Sequence, residues 1–227
     1  MRQNLIIDAD DTLWENNIYF EQAFDAFIDF LNHSTLSGPE IRAILDEIEL
    51  ANILVHGYGA ANFARNLCQC YERLAERDVA AGDLDLIMRL AEEIMSQPIE
   101  IIDGVAETLE YLASRHDLTL FTKGHAEEQK LKIDRSGLGI WFGHTAIVRE
   151  KDAESYGRLA AERHLDPSRT WMIGNSPKSD INPALAAGLN AVFVPHARTW
   201  HLEKTELASG PGRVITVERF ADLRRWF

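Results

Sequence analysis

Three carboxylates crowd into residues 8–11: Asp8, Asp10 and Asp11, with the Thr12 hydroxyl directly after them. Further along, Thr122-Lys123-Gly124, Lys151 and Gly174-Asn175-Ser176 with Asp180 add hydroxyls, ammonium groups, an amide and another acid. Taken singly, each has a plain structural use. Acids after a strand can form a turn or cap a helix, and Gly174-Asn175-Ser176 alone reads as a turn. Taken together they suit a hard divalent cation and a phosphoryl group. Mg2+ takes oxygen ligands. Phosphate oxygens take hydroxyls, backbone N–H groups and a lysine point charge.

A parallel sheet would bring these scattered groups to one edge. Asn4-Leu5-Ile6-Ile7 is a short apolar run ending in acids, the pattern of a buried strand with a functional loop after it. Beyond residue 98 the pattern alternates. It predicts helices over 105–112, 126–136, 153–164, 181–187 and 218–226, and strands over 118–121, 145–148, 170–173, 191–194 and 214–217. The candidate residues each follow one of these strands, and ligands of parallel sheets bind at the carboxyl ends of their strands. Between the first strand and this alternating region, apolar residues fall at helical spacing. Phe20, Phe24, Phe27 and Leu31 fit one face, Phe63, Leu67, Tyr71 and Leu74 another, and about four helices account for the segment. The reading is an α/β protein: a Rossmann-like, three-layer parallel-sheet core of residues 1–14 and 99–227, with an inserted all-helical domain over 15–98.

Composition narrows the partners. The chain has 227 residues and a formal net charge of -13, a field that repels nucleic acid and anionic membrane surfaces. A phosphate ester would be repelled too, unless a cation or a local positive site draws it in. No stretch approaches the ~18 apolar residues of a membrane span. The two cysteines, Cys68 and Cys70, show neither disulfide framework nor zinc spacing. A cytoplasmic protein with reduced thiols is expected.

In chain order, Asp8-x-Asp10-x-Thr12, then Thr122, Lys151 and Gly174-Asn175-Ser176-x-x-x-Asp180, the chain resembles the haloacid dehalogenase superfamily, whose four motifs run this way. The helical insert lies where one type of cap domain sits in that family. The resemblance implies a phosphatase working through an aspartyl-phosphate. Asp8 would be the nucleophile and Asp10 the general acid and base. Thr122 would hold a phosphate oxygen, and Lys151 would bridge nucleophile and phosphoryl group. Asp8, the Asp10 carbonyl, Asn175 and Asp180 would form the Mg2+ site. Thr12, Lys123, Gly124, Trp14 and Tyr19 are candidates to contact a small-molecule phosphate ester.

Three positions depart from the family pattern. Asn175 replaces a usual aspartate, which implies a weaker metal site. Lys123 replaces a usual asparagine, and either adds positive charge near the phosphate or points into solvent. Asp152 stands where a proline is common. The dehalogenase branch lacks a second catalytic aspartate in the first motif, so Asp10 favours phosphoryl chemistry. A sugar-phosphate mutase would share the same core residues. A phospho-accepting or phosphate-binding module without turnover is the alternative of a different class.

Overall fold

The computed structural model describes residues 2–227. The chain divides into two compact units: the segment ending at Asn17 together with Ile99–Phe227, and Ile18–Pro98. The sequence-level break at 14/15 falls slightly earlier. The intervening residues stay with the first unit because Glu15 N–H donates to the Glu100 carbonyl (2.9 Å) and Ile102 N–H donates to the Leu13 carbonyl (3.0 Å).

The first unit is built on one six-stranded sheet: β1 (Asn4–Ile7), β2 (Asp117–Lys123), β3 (His144–Val148), β4 (Thr170–Gly174), β5 (Asn190–Phe193) and β6 (Val214–Thr216). The strands lie in the order β3-β2-β1-β4-β5-β6. Every pair is parallel. Chain order therefore reverses direction at β1, and ligands of such sheets bind outside that point.

Side chains alternate across a strand, and β1 shows the result. Leu5 and Ile7 enter a core with Val105, Leu109 and Leu112, while Ile6 enters another with Phe121, Tyr156, Leu159 and Ala184. All three β1 residues are fully buried. Each such side chain contributes roughly 1.5–3 kcal/mol, so the strand that ends in Asp8 is firmly anchored.

In the second unit, the helical spacing yields α1 (Asn17–Leu31), α2 (Gly38–His56), α3 (Ala60–Leu74) and α4 (Ala81–Ser96). Phe24, Phe27, Ile41, Leu45, Phe63, Leu67 and Tyr71 form their shared core.

The remaining helices belong to the sheet unit: α5 (Val105–Ala113), α6 (Ala126–Ser136), α7 (Ala153–Glu162) and α8 (Asn182–Ala186). Three expected helices differ. The one predicted over 181–187 opens with a single π-turn at Pro177–Ile181 and becomes α-helical only at Asn182. The final one is a 3-10 run, Phe220–Arg225. The helix expected to reach residue 164 stops at Glu162, because His164 turns left-handed at φ 50°. No helix among the described residues is long and apolar enough to cross a membrane.

Candidate active site

The loop after β1 folds back at once. Thr12 and Leu13 N–H both donate to the Ala9 carbonyl (3.2 and 2.8 Å), and Asp11 takes a left-handed φ of 57°. The turn sends Asp8, Asp10 and Asp11 in different directions. Asp8 N–H donates to the Ile173 carbonyl of β4 (3.0 Å), which places its side chain at the sheet's reversal point.

Asp8 is held from two sides. Lys151 Nζ donates to Oδ1 (2.5 Å) and the Thr12 hydroxyl donates to Oδ2 (2.8 Å). Lys151 is 3% exposed and also donates to Asp180 Oδ1 (2.8 Å). Burial by itself would lower the Lys151 ammonium, but the Asp180 and Asp8 carboxylates outweigh it and raise it, so the lysine stays charged. Asp180 is pushed up by its burial and by Asp8, with Lys151 pulling the other way. Its second oxygen accepts the Ser176 N–H (2.9 Å). Each Asp180 oxygen thus accepts one hydrogen bond and keeps a lone pair, so this residue, expected among the metal ligands, stands beside Asp8 through their shared partner Lys151.

Asn175 Nδ2 donates to the Thr199 hydroxyl (2.8 Å), which turns Oδ1 towards Thr12 Oγ1 (3.2 Å). Asp8 Oδ2 and Asn175 Oδ1 therefore converge on one hydroxyl. Its single proton cannot fully serve both, and oxygen lone pairs are left over. That donor set fits a hard divalent cation. Asp11, Glu15 and His196 set one ligand atom each within 4.8 Å of one another, a second group that could hold a cation. There, however, Asp11 already accepts the Asn16 and Asn17 N–H groups (2.8 and 3.1 Å), and Glu15 lies against Arg198 (3.1 Å). Burial pushes Asp11 up to about 7.

The Asp10 carboxylate faces α6 instead. Lys132 Nζ donates to both its oxygens (2.6 and 2.7 Å), Gln129 Nε2 donates to one (2.8 Å) and Trp14 Nε1 to the other (2.8 Å). Burial would raise this carboxyl, but the Lys132 charge and these hydrogen bonds take it below the usual carboxylate range. Thr122, buried at the end of β2, donates to Gln129 Oε1 (3.2 Å). Gly124 takes φ 133°, and a Cβ there would stand 3.2 Å from Gln129 Nε2, so glycine leaves room for that side chain.

The chain matches the model of the haloacid dehalogenase-like hydrolase family over residues 3–188. It belongs to that family. No match was found among curated protein sequences. Among solved structures, this hydrolase is similar to a haloacid dehalogenase-like family hydrolase from Xanthomonas campestris, with 29% identity, a TM-score of 0.82, and 99% of this chain and 94% of that one covered. It also shares its fold with a predicted phosphoglycolate phosphatase from Haemophilus somnus 129pt (16% identity, TM-score 0.67, 99% and 97% covered). An L-2-haloacid dehalogenase from Xanthobacter autotrophicus, with chloropropionic acid covalently bound, aligns equally well (13% identity, TM-score 0.66, 99% and 98% covered). The fold is thus common to two reactions, and the site must discriminate between them.

The structure brings Asp8, Thr12, Lys151, Asn175 and Asp180 together in this hydrolase, with Asp10 and Thr122 joined through Gln129. Three candidates for substrate contact lie elsewhere. The Lys123 ammonium is neither beside Asp8 nor in solvent: it donates to Glu203 and Ser179 (2.8 Å each). Trp14 is fully buried and meets the site only through Asp10. Tyr19 is buried in the helical unit's core, its hydroxyl donating to the Pro98 carbonyl (3.3 Å). Gln129, Lys132, Thr199 and Glu203 were not legible as site residues. The i, i+3 spacing of Gln129 and Lys132, on the helix that follows Thr122, is the sequence signal that places them on a shared face.

Proposed function

We propose that this hydrolase cleaves small-molecule phosphate monoesters through an aspartyl-phosphate at Asp8, with Mg2+ as cofactor. The observation that carries the reading is Asp10: a second carboxylate, two residues from the nucleophile and held by four hydrogen bonds. A halide leaves carbon as a weak base and needs no proton. An alkoxide leaving phosphorus does, and a positioned carboxyl contributes roughly 10²–10⁴-fold to such a step.

In the first step an Asp8 oxygen attacks phosphorus, the bond from phosphorus to the ester oxygen breaks, and that oxygen takes the Asp10 proton. In the second step water attacks phosphorus, its proton passes to the Asp10 carboxylate, and phosphate leaves with Asp8 restored. The arrangement described above holds Asp10 ionised, the form that the second step uses. The dianionic ester brings negative charge that favours its protonated form for the first. Lys151 and Thr12 hold the nucleophile in one rotamer, and the buried Thr122 hydroxyl would turn its proton from Gln129 Oε1 to a phosphate oxygen. Asp8, Asn175 and the Asp10 carbonyl would hold Mg2+, whose charge offsets the repulsion between carboxylate and phosphoryl group.

A screen of small phosphate esters and 2-haloacids, read as phosphate and halide release, tests this. Phosphate release that needs a divalent metal and is lost in Asp8→Asn is expected. Halide release without phosphate release would overturn it.

A further inference from the structure

Three side chains grip Asp10. Here Lys132 spans both oxygens of one carboxylate, while Gln129 and Trp14 take one oxygen each from different directions. Lys132 Nζ is itself anchored by Asn16 Oδ1 (3.0 Å), and the Gln129 amide by the Thr122 hydroxyl (3.2 Å). Gln129 and Lys132 project from the same face of α6, three residues apart. That helix is well defined at its ends, with Glu127 and Glu128 in the first turn and Gly137 left-handed at φ 69° after the last. The carboxylate is therefore referenced to a rigid element as well as to its own loop.

We propose that Lys132 and Gln129 are positioning residues that set the rotamer of Asp10, with Gln129 linking that rotamer to the Thr122 hydroxyl; Lys132, which spans both oxygens, keeps to one of them when the other takes up the proton that passes to the leaving oxygen. This rests on the phosphatase reading. Neither residue touches the reacting atoms in this scheme; both act through Asp10. A misaligned carboxyl costs most when the leaving group most needs a proton. The assignment therefore predicts a dependence on leaving-group basicity that a merely structural lysine would not produce.

The test measures kcat/KM, which reports the steps through transfer to Asp8, across a series running from alkyl to activated aryl phosphates. It compares wild type with Lys132→Met, Gln129→Leu, Asp10→Asn and the Lys132→Met/Asp10→Asn double variant, with thermal melting as a check on folding. Lys132→Met is expected to lose about 100-fold on alkyl esters and under about 3-fold on an activated aryl ester. Gln129→Leu should follow the same trend more weakly. Lys132→Arg, which keeps the charge and the donors, should recover most of the alkyl activity. In the Asp10→Asn background, Lys132→Met should cost nothing further, because a residue acting through Asp10 has nothing left to position. Equal losses across all leaving groups, or additive losses in the double variant, would overturn the assignment while leaving the phosphatase reading standing. A wild type that releases no phosphate from any ester removes that reading and this assignment with it.

Discussion

The Asp180 carboxylate lies against the α-carbon of Gly174, in the volume that any side chain at 174 would need. A Cβ there would come within 2.9 Å of Asp180 Cβ, and closer still to the carboxyl atoms. The glycine at the end of β4 therefore serves the site by steric permission, letting Asp180 reach Lys151 and the Ser176 N–H.

Gly174→Ala should accordingly cost activity out of proportion to stability. Overpacking costs typically 1–3 kcal/mol, within reach of a chain that still folds. Displacing Asp180, however, removes one of the two carboxylates that fix Lys151, and with it the alignment of Asp8. Phosphate release is expected to drop by about 100-fold, the order that small misplacements of catalytic groups cost, while urea unfolding shows only the modest loss. Activity within a few-fold of wild type would mean that Asp180 can leave its place without consequence.

Asn175→Asp tests the proposed metal site from the opposite direction. The new carboxylate would face Asp8 across Thr12, and the Thr199 hydroxyl could turn to donate to it. Without metal the added like charge should lower the melting temperature. With Mg2+ the added anionic ligand should tighten binding, by roughly tenfold if it is worth about 1.4 kcal/mol. Calorimetric titration with Mg2+, and melting curves with and without it, measure both signs. Unchanged Mg2+ affinity would place Asn175 outside the ligand set.

The contrast between Asp180 and Lys132 shows what could be read beforehand. Asp8, Thr122, Lys151, Asn175 and Asp180 each follow a strand, and parallel strands bring their carboxyl ends to one edge whatever the details. Their meeting was therefore implied by alternation alone. β1 was legible to the residue, because an apolar run ending in acids has one natural boundary. Lys132 sits in a polar helix among Glu127, Glu128 and Lys130, where a lysine ordinarily faces water. Nothing local distinguishes it. Its pairing with Asp10 spans 122 positions, and exists only because β1 and β2 are neighbours in the sheet. The place of Lys123 is hidden for the same reason, since its partner Glu203 lies 80 positions away.

That Lys123–Glu203 pair carries a stability prediction. Both side chains are largely buried, and the Ser176 hydroxyl also donates to Glu203 (2.6 Å). Burial would raise the Glu203 carboxyl, but Lys123 and the hydrogen bonds bring it below its ordinary value of 4.5. A depressed folded value contributes stability above the unfolded value, and that stability is lost as pH falls through the folded one. Lys123→Met leaves a buried carboxylate without that cation, which costs about 3–5 kcal/mol. At pH 7 the variant should be less stable by that order, and the gap should narrow below pH 4.5 as Glu203 protonates. All five tryptophans lie in the sheet unit, so urea unfolding followed by tryptophan fluorescence reports this unit.

The helical unit holds a carboxyl with the opposite behaviour. Ile41, Leu45 and Glu49 are spaced i, i+4, i+8 on α2 and are all buried, so Glu49 occupies a core-facing position. Its Oε2 has no hydrogen-bond partner among the described residues. Burial pushes it up to about 8 from 4.5, against Arg42 and with Asp46 and Glu21 adding to the rise. The folded carboxyl therefore keeps its proton over a range in which the unfolded one has lost it. Stability is full below pH 4.5 and declines as pH rises towards 8. Glutamine has nearly the same shape and does not titrate. Glu49→Gln should leave the unit's stability unchanged at pH 4 and raise it by about 4 kcal/mol at pH 8, at about 1.4 kcal/mol per unit of displaced pKa. Amide hydrogen exchange along α2, measured at both pH values, reads this unit directly. Equal protection in variant and wild type at pH 8 would mean that Glu49 ionises in the folded protein as freely as in the unfolded chain.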